Sequence, residues 1–529
     1  MFARFRRLSR ASLLSTSTTS RSAAQHHANF NAAVVRSLST STLSRSAAQH
    51  HANSNAAVVT DDAAWTSAWQ EQVDTITGEV GSYEESADQL RNISKSGILR
   101  FTDLRDHPER FFGAHRLLAK ESPKLGPGFW IRFTVHYNLF GGTILAVGGD
   151  EQLKMLEEIQ AKGELGCFAL TEQLAGVNSG LVVDTKITWD QDENTFLLES
   201  LNSGASKNWI SQGLVGDKAV VMADLVVEGT SYGPHAFLMD LRRDGEIVDN
   251  VTMEDMGEKT VGNDLDNARI HFNNVRLPKS SMLNRYADID SSGQYVQKIK
   301  GIRTMEMIGQ RLFSGRVAVA QAALEFRRKL FEMTKNYSDN KKCWSPAGNP
   351  VLSDIPQLRH LYEECDARGQ ELDTFVGICE AKLNMCLQEE ILPPLELTEA
   401  IAVAKIRAVD ESIEMCFRLK QEVGSYALMS GNGFEQMDFL QCCKFAEGDS
   451  RILMLKMARD RMRAYQKEGP SGNEDEDILC LEILQGIEAE MNANGGDKQA
   501  AFDAEWEKVY DLAGSVMSRI TTKYMEEAK

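Results

Sequence analysis

The sequence lacks a long apolar run, a cysteine framework and, over its first 60 residues, any acidic residue. No segment reaches the roughly 18 consecutive apolar residues of a transmembrane helix, so no membrane span is expected. The nine cysteines are scattered without a C-x-x-C pair, and the ten histidines show no metal-ligand spacing with them. Neither disulfides nor a metal site are therefore predicted, and reduced, mostly buried thiols are expected instead.

Acidic residues outnumber basic ones, with 76 Asp and Glu against 58 Lys and Arg. The formal net charge is -18 over 529 residues. A surface this acidic argues against nucleic acid or an anionic membrane as the main partner, because both carry negative charge. With 42% hydrophobic residues, the chain is long enough for a large core and for two or three subdomains.

The first 60 residues have the composition of a targeting leader. They contain seven arginines and no lysine, and the segment 15–35 recurs as 39–59 with two changes. The two copies have no apolar periodicity, so residues 1–60 are predicted to be a disordered leader with a duplicated segment, not a solenoid. An Arg- and Ser-rich leader is typical of a mitochondrial transit peptide, which predicts the mitochondrial matrix; peroxisome and plastid are the alternatives.

Apolar periodicity divides the rest of the chain into regions. Residues 61–165 show helical spacing and predict an N-terminal helical domain, within which 129–147 is an apolar stretch expected to form a buried, closely packed helix. Residues 166–282 carry short β-branched and aromatic runs between turns, which predict an antiparallel β domain. Residues 290–467 predict a four-helix-type bundle, and 468–529 an acidic linker and helical tail. The predicted fold class is α+β.

Three short motifs carry side chains suited to chemistry. Thr171-Glu leads into a glycine-rich loop, whose backbone N–H groups can bind a cofactor, although a plain turn has the same composition. Trp209 and Ser211 lie two residues apart on a predicted strand and so share a face, but a core tryptophan beside a satisfied serine is the alternative. Glu447, followed by glycine, is a candidate general base, or else an exposed i,i+4 partner of Arg451.

Together these motifs resemble those of the acyl-CoA dehydrogenase/oxidase superfamily of flavoproteins. The segment Gly166-Cys-Phe-Ala-Leu-Thr-Glu is similar to the flavin-binding signature of the oxidases. Lys207-Asn-Trp-Ile-Ser is similar to the K-x-W-I-[ST] motif, and Phe445-Ala-Glu-Gly to the catalytic [YF]-x-E-G segment. Residues 255–278 are again oxidase-like. The resemblance covers about residues 90–465 and implies the superfamily's order of helical, β and helical domains.

The resemblance implies FAD as the cofactor. Thr171 would contact the edge of the flavin ring, and Gly176 would lie beside the cofactor. Trp209 would pack against the isoalloxazine, and Ser211 would hydrogen-bond its N5 atom. Glu447 would remove the α-proton of an acyl-CoA while a β-hydride moves to N5.

The resemblance also implies further contacts. Lys341 and Trp344 occupy the positions of an Arg and an aromatic residue that reach the FAD pyrophosphate and adenine across a subunit contact, so a homodimer or homotetramer is expected. Asp266 and Asn267 belong to a stretch that lines the acyl-CoA site.

The predicted reaction is FAD-dependent α,β-dehydrogenation of an acyl-CoA to a trans-2-enoyl-CoA, as in fatty acid β-oxidation. The β-domain motifs favour an oxidase that uses O2. The leader and the lack of a long C-terminal oxidase domain favour a mitochondrial dehydrogenase that uses an electron-transfer flavoprotein. A third alternative is a catalytically silent assembly or scaffold member. It is suggested by Val177, which replaces a phosphate-binding serine, and by the 13-residue spacing from Phe434 to Glu447, which is shorter than usual by roughly two helical turns.

Overall fold

The computed structural model describes residues 63–529 except 79–80, 177–178, 180, 300–303, 347 and 494. The predicted leader, 1–60, lies outside the described residues. Contacts join Trp69–Lys298 and Arg303–Lys529 into one compact unit. The division of the chain into separate domains therefore stays a prediction.

Helices precede the strands. Ser82 and Glu85 form a capping box at the start of the second helix, in which each side chain accepts a hydrogen bond from the other's backbone N–H. From residue 63 onward, the helices before the first strand are α1 (63–73), α2 (Tyr83–Ser96), α3 (Asp103–Asp106), α4 (Pro108–Leu125), α5 (128–147) and α6 (Asp150–Lys162).

Helix α5 is buried along most of its length. It is α-helical over Gly128–Thr134, π-helical over Val135–Gly141 and α-helical again over Gly142–Val147. A Cβ on Gly141 would lie 2.1 Å from Cδ1 of Phe101, so glycine allows this ring to pack on the helix backbone. The predicted buried, closely packed helix is confirmed, whereas its π-helical turn was not predicted.

The strands lie between residues 166 and 297 and form two main sheets. The larger sheet has the order β1-β5-β2-β3-β11, with β6 paired to β5, and the second has the order β4-β10-β9. Two hairpins, β7–β8 and β12–β13, complete the set. The strands are β1 (Gly166–Ala169), β2 (Lys186–Asp190), β3 (Thr195–Glu199), β4 (Lys207–Ser211), β5 (Lys218–Val227), β6 (Thr230–Asp240), β7 (Arg242–Arg243), β8 (Glu246–Ile247), β9 (Val251–Asp255), β10 (Asn267–Phe272), β11 (Val275–Pro278), β12 (Ala287–Ile289) and β13 (Tyr295–Gln297).

Strand β5 is the centre of the larger sheet. It pairs in parallel with β1 and β2 and antiparallel with β6. The prediction of an antiparallel β domain is therefore wrong for the pairings of β5 with β1 and with β2. Ala219, Val221 and Ala223 on β5 are fully buried together with Phe196 and Phe237 of neighbouring strands. This apolar layer gives the sheet a rigid core from which the loops after β1 and β4 project.

Long helices follow the strands. Helix α9 ends at Glu422, because Gly424 adopts a left-handed conformation (φ 61°) and a 3-10 turn begins there. The described part of the tail contains three helices. The helices are α7 (Thr304–Asn340), α8 (Pro356–Gln388), α9 (Leu395–Glu422), α10 (Asp438–Phe445), α11 (Ser450–Glu468), α12 (Glu474–Ala493), α13 (Lys498–Ala504) and α14 (Trp506–Glu527).

The α+β fold class predicted from the sequence is confirmed, with helices on either side of a central β region. None of the described helices is both long and apolar enough to cross a bilayer. All nine cysteines belong to the described part of the chain, where they are unpaired and seven of them are buried.

Candidate active site

Helix α5 connects the segments that carry the motifs. Its Arg132 is fully buried and donates hydrogen bonds to Gln212 Oε1 at 3.2 Å and to Asp266 Oδ1 at 3.1 Å. The second oxygen of Asp266 accepts the backbone N–H of Leu214 at 2.6 Å. The assignment of Asp266 to substrate binding stays a prediction. Both of its oxygens are engaged inside the protein, where they neutralise a buried guanidinium.

The start of β1 is held to the same helix. The N–H of Gly166 donates to Nδ1 of His136 at 3.3 Å, and Nε2 of Gln212 donates to the Gly166 carbonyl at 2.7 Å. Burial lowers the pKa of His136 to about 3, so its ring is neutral and Nδ1 is free to accept. A Cβ on Gly166 would lie 2.3 Å from the ring of Phe140, which explains the glycine at this position of the first motif.

A buried ion pair joins the first motif to the second. Lys207 Nζ donates to Glu172 Oε1 at 2.7 Å and to the Met222 carbonyl at 2.7 Å, and both charged side chains are fully buried. Glu172 also accepts from Oγ1 of Thr185 at 2.7 Å. Burial lowers the pKa of Lys207 to about 8. Burial also raises the pKa of Glu172, but attraction to Lys207 and the hydrogen bonds outweigh it, so the net shift is downward. The pair fixes the loop after β1 to the start of β4.

Replacing Lys207 with methionine is expected to lower the free energy of unfolding by about 3–5 kcal/mol, because Glu172 is left charged and buried. Urea denaturation at pH 7 measures this. The depressed pKa of Glu172 means that its contribution is present above its unfolded pKa and is lost only as pH falls through the folded value. Lys335→Met, which breaks an exposed pair with Asp339, is the control and should cost under about 1 kcal/mol.

The double variant Glu172→Gln/Lys207→Met removes both charges. It should be more stable than Lys207→Met alone, because no unpaired charge remains buried. Equal destabilisation by Lys207→Met and Lys335→Met would contradict a structural role for the pair.

Thr171 and Trp209 lie side by side at the surface. The N–H of Asn208 donates to the Thr171 carbonyl at 2.9 Å. Trp209 is 54% exposed and has a left-handed backbone (φ 59°), so it is not a core side chain. Ile210 is buried, whereas Trp209 is exposed and Ser211 is partly exposed, and the face that Trp209 and Ser211 share stays a prediction.

Ser211 is paired with Asn267 across β4 and β10. Asn267 Nδ2 donates to Ser211 Oγ at 3.1 Å. An N–H donor occupies one lone pair of the hydroxyl, so its hydrogen is directed elsewhere. Oδ1 of Asn267 is buried and accepts no hydrogen bond from any described residue. Ser211 can thus donate to a group bound beside Trp209.

Glu447 lies in the turn between α10 and α11, in a left-handed conformation (φ 56°). Its carboxylate is buried, although the residue as a whole is partly exposed. Oε1 accepts from Nδ2 of Asn138 on α5 at 3.5 Å. A Cβ on Gly315 of α7 would lie 2.2 Å from the carboxylate carbon, so the carboxylate packs directly on the α7 backbone. The alternative of an exposed ion-pair partner for Arg451 is wrong.

Two cations hold this turn by its carbonyl groups. Lys405 of α9 is fully buried and donates to the carbonyls of Lys444 at 2.7 Å and Gly448 at 3.1 Å. Arg316 of α7 donates through Nε to the Glu447 carbonyl at 2.9 Å. The backbone is thus fixed on both sides of Glu447, which limits where its carboxylate can point.

The carboxylate is poised to exchange a proton near neutral pH. Burial raises the pKa of Glu447 to about 7, and the charges of Arg316 and Lys405 and the Asn138 hydrogen bond act in the opposite direction. A general base works best when its pKa is close to the operating pH. The geometry therefore suits abstraction of a proton inside a shielded site.

The sequence of this chain is similar to those of several acyl-CoA oxidases. No family model matches the chain. It is 25% identical over 408 residues to the peroxisomal acyl-coenzyme A oxidase 2 of Arabidopsis thaliana, covering 72% of this chain and 56% of that protein. It is 26% identical over 487 residues to acyl-coenzyme A oxidase 3 of Yarrowia lipolytica, covering 86% of this chain and 67% of that protein. Over most of its length the chain is thus similar in sequence to acyl-CoA oxidases.

Solved acyl-CoA oxidases have the same fold. The crystal structure of the Yarrowia lipolytica oxidase 3 matches with a TM-score of 0.69 at 20% identity, covering 88% of this chain and 75% of that one. The oxidase 2 of Caenorhabditis elegans, bound with FAD, ascaroside-CoA and ATP, matches with a TM-score of 0.71 at 18% identity, covering 88% and 76%. The fold of these two oxidases is thus shared over most of the chain.

The short spacing before Glu447, unusual for the superfamily, has a structural counterpart. A 3-10 turn at Phe434–Gln436 and the eight-residue helix α10 span the distance from Phe434 to Glu447. This short connection still brings the carboxylate against α5 and α7. We interpret it as a trimmed element that keeps Glu447 in a buried position.

The other predicted cofactor residues are on the surface. Gly176 is exposed, and its N–H donates to Oγ of Ser179 at 3.0 Å. Val177, where the superfamily has a phosphate-binding serine, lies outside the described residues. Lys341 and Trp344 follow the end of α7, and Trp344 is 81% exposed. Within one copy of the chain these residues are available to a ligand or to a second subunit.

Four residues of the site were not singled out from the sequence. They are buried polar or charged side chains within apolar helical segments: Arg132, Asn138, Ser314 and Lys405. A charged residue inside an apolar run must find a partner when it is buried, which was the one available signal for Arg132 and Lys405. Their partners lie far away in sequence, so the sequence alone could not identify them.

Proposed function

We propose that this chain is an FAD-dependent acyl-CoA oxidase that forms a trans-2-enoyl-CoA, with Glu447 as the base. The observation that carries the proposal is the buried Glu447 carboxylate, whose pKa is raised to about 7 and which lies against α5 and α7. Through Arg132, helix α5 also binds Gln212, which follows Ser211, and Asp266, which precedes Asn267. One helix thus supports both the candidate base and the candidate flavin motifs.

The residues present fit a flavin. Trp209 offers a large exposed aromatic face for stacking, and Ser211 has a hydroxyl hydrogen to donate to a ring nitrogen. The loop from Thr171 to Gly176 is largely exposed, and since its N–H groups from residues 173 to 176 donate within the protein, Thr171 would supply its polar contact with the cofactor. Bound FAD supplies the acceptor for the hydride that leaves the substrate β-carbon.

The protein's part in the reaction is proton removal and alignment. An α-C–H bond beside a thioester is weakly acidic, so a shielded carboxylate with a pKa near neutrality is an effective base for it. The proton passes to Glu447, and the C–H electron pair stays on the substrate to form the double bond as the β-hydrogen leaves with its own pair. Asn267, which is buried beside Ser211, would line the acyl-CoA site.

A second copy of the chain would complete the cofactor site. Lys341 and Trp344 are exposed, and a tryptophan that is 81% exposed is unusual unless a ligand or partner covers it. We assign them to the distal half of an FAD bound mainly by a partner copy. This assignment requires more than one copy of the chain, in a homodimer or homotetramer.

O2 is the proposed electron acceptor, and the peroxisome is the proposed location. The Arabidopsis and yeast relatives are named acyl-coenzyme A oxidases, and several are named peroxisomal. These names favour the peroxisome over the mitochondrial matrix predicted from the leader, which receives no support from them. A dehydrogenase that uses an electron-transfer flavoprotein is the alternative that the test below separates.

The test uses the full-length protein mixed with FAD and acyl-CoAs of graded length, from butyryl- to palmitoyl-CoA. We expect a flavin absorption band that one or more acyl-CoAs bleach in the absence of air, with peroxide released when air is admitted. A colourless protein that acquires no flavin band would reject the enzyme and support the silent alternative. Bleaching without peroxide, but with reoxidation by an electron-transfer flavoprotein, would identify a dehydrogenase.

A further inference from the structure

A short chain of hydrogen bonds connects helix α7 to Glu447. Ser314 Oγ donates to Oδ1 of Asn138 at 2.7 Å, and Asn138 Nδ2 faces Glu447 Oε1 at 3.5 Å. Ser314 and Asn138 are both fully buried. The three residues come from α7, from α5 and from the turn before α11.

The hydroxyl determines which end of the amide faces the carboxylate. An asparagine side chain has an oxygen that only accepts and a nitrogen that only donates. Since Ser314 donates to Oδ1, the nitrogen of Asn138 is turned towards Glu447. A carboxylate can only accept, so this orientation is attractive and the reverse would bring two oxygens together.

Asn138 lies in the π-helical turn Val135–Gly141. A π-helical turn contains one more residue than an α-helical turn, which changes the direction of the side chains along it, and such turns occur often at functional sites. Here the wider turn lies where α5 passes Glu447. The irregularity in α5 thus coincides with the residue that contacts the candidate base.

The two oxygens of Glu447 are not equivalent. Oε1 faces the Asn138 amide, whereas Oε2 is buried and accepts no hydrogen bond from any described residue. We propose that Asn138, oriented by Ser314, is a positioning residue that holds Oε1 and leaves Oε2 to take the substrate α-proton. The inference rests on the proposed function. In this step the C–H bond breaks, an O–H bond forms at Oε2, and the electron pair stays with the substrate carbon.

The charged groups that face Glu447 are Arg316 from α7 and Lys405 from α9, and both remain in place in the variants below. The Asn138 donor acts with them to favour the ionised carboxylate, against burial. Removing the donor should therefore raise the pKa at which the base becomes active. A lost packing contact alone would lower stability without this shift.

The experiment measures kcat/KM against pH for the FAD-loaded protein with its best acyl-CoA. The acid limb is the part of the profile in which kcat/KM rises with pH. In Asn138→Leu, this limb should move up by about one pH unit. Compared with the unmodified protein, kcat/KM should therefore be about tenfold lower near pH 6 and little changed above pH 9. Ser314→Ala should shift it in the same direction by less, because the amide can then rotate. Thr143→Val is the control, since Thr143 is buried on the same helix and its hydroxyl has no partner among the described residues.

Acid limbs of both Asn138→Leu and Ser314→Ala that coincide with that of Thr143→Val would overturn the inference. If Asn138→Leu does not fold, Ser314→Ala decides alone by the position of its limb. Glu447→Gln separates this failure from failure of the proposed function. Turnover by Glu447→Gln would exclude Glu447 as the base and so reject the proposed function. If Glu447→Gln is inactive but the pH profiles of Asn138→Leu and Ser314→Ala are unshifted, only the role of Asn138 is rejected.

Discussion

Replacing Glu447 with glutamine is expected to slow the reduction of bound flavin by an acyl-CoA about 10⁴-fold, the upper range for loss of a general base. Glutamine has nearly the same size, so it should still pack on Gly315 and leave the turn intact. The flavin residues around Trp209 and Ser211 are on other elements, so FAD should remain bound. The loss should therefore appear in the chemical step.

Anaerobic stopped-flow absorbance at pH 8 measures this rate, and the flavin content of the purified variant reports FAD binding. Glu468→Gln is the matched control, because Glu468 is exposed at the end of α11 and pairs only with the adjacent Lys467 among the described residues. It should reduce at the unmodified rate. Flavin reduction by Glu447→Gln within tenfold of the unmodified protein would exclude Glu447 as the base.

Substituting alanine for Gly315 is expected to lower the rate of flavin reduction about 100-fold, the effect of displacing a reacting group by about 1 Å. The new Cβ would lie 2.2 Å from the Glu447 carboxylate carbon and 2.3 Å from Oε1, so the side chain must move. The obstructed atoms are the end of a flexible side chain, which can turn away. The fold should therefore survive, since alanine in a helix interior is favoured over glycine by up to about 1 kcal/mol.

Gly309→Ala is the matched control on the same helix. A Cβ at Gly309 meets no atom of the described residues within 4 Å, so this variant should gain helix stability and keep its rate. Thermal unfolding and stopped-flow reduction are compared for both variants. The double variant Glu447→Gln/Gly315→Ala should be no slower than Glu447→Gln, because both changes act on one carboxylate. An unmodified rate in Gly315→Ala would contradict the packing described above.

Local patterns in the sequence predicted the kinds of elements and the motifs. The apolar stretch at 129–147 was expected to be a buried helix, and the segment with Trp209 and Ser211 was expected to be a strand. Both features depend only on neighbouring residues. The parallel pairing of β5 with β1 and β2 does not, because short strands of similar composition can pair in either direction.

The support of the candidate base could not be read from the sequence for the same reason. Asn138 and Ser314 are 176 residues apart, and Lys405 reaches carbonyl groups about 40 positions later in the chain. The partners of Lys405 are backbone carbonyls, which every residue has, so no residue type in the sequence indicates them. The π-helical turn that carries Asn138 likewise has no established sequence signal, since its residues are mostly weak helix formers, which also occur in ordinary α-helices.

The left-handed backbone of Glu447 has a consequence for how this chain can change. A residue with a Cβ loses roughly 1–2 kcal/mol in that conformation relative to the right-handed region, whereas glycine does not. Selection for folding alone would therefore favour glycine at this position, and drift without a requirement for the carboxylate would be expected to replace it. A glutamate in this unfavourable conformation, if it is the base, is a trade-off between stability and activity at a single residue.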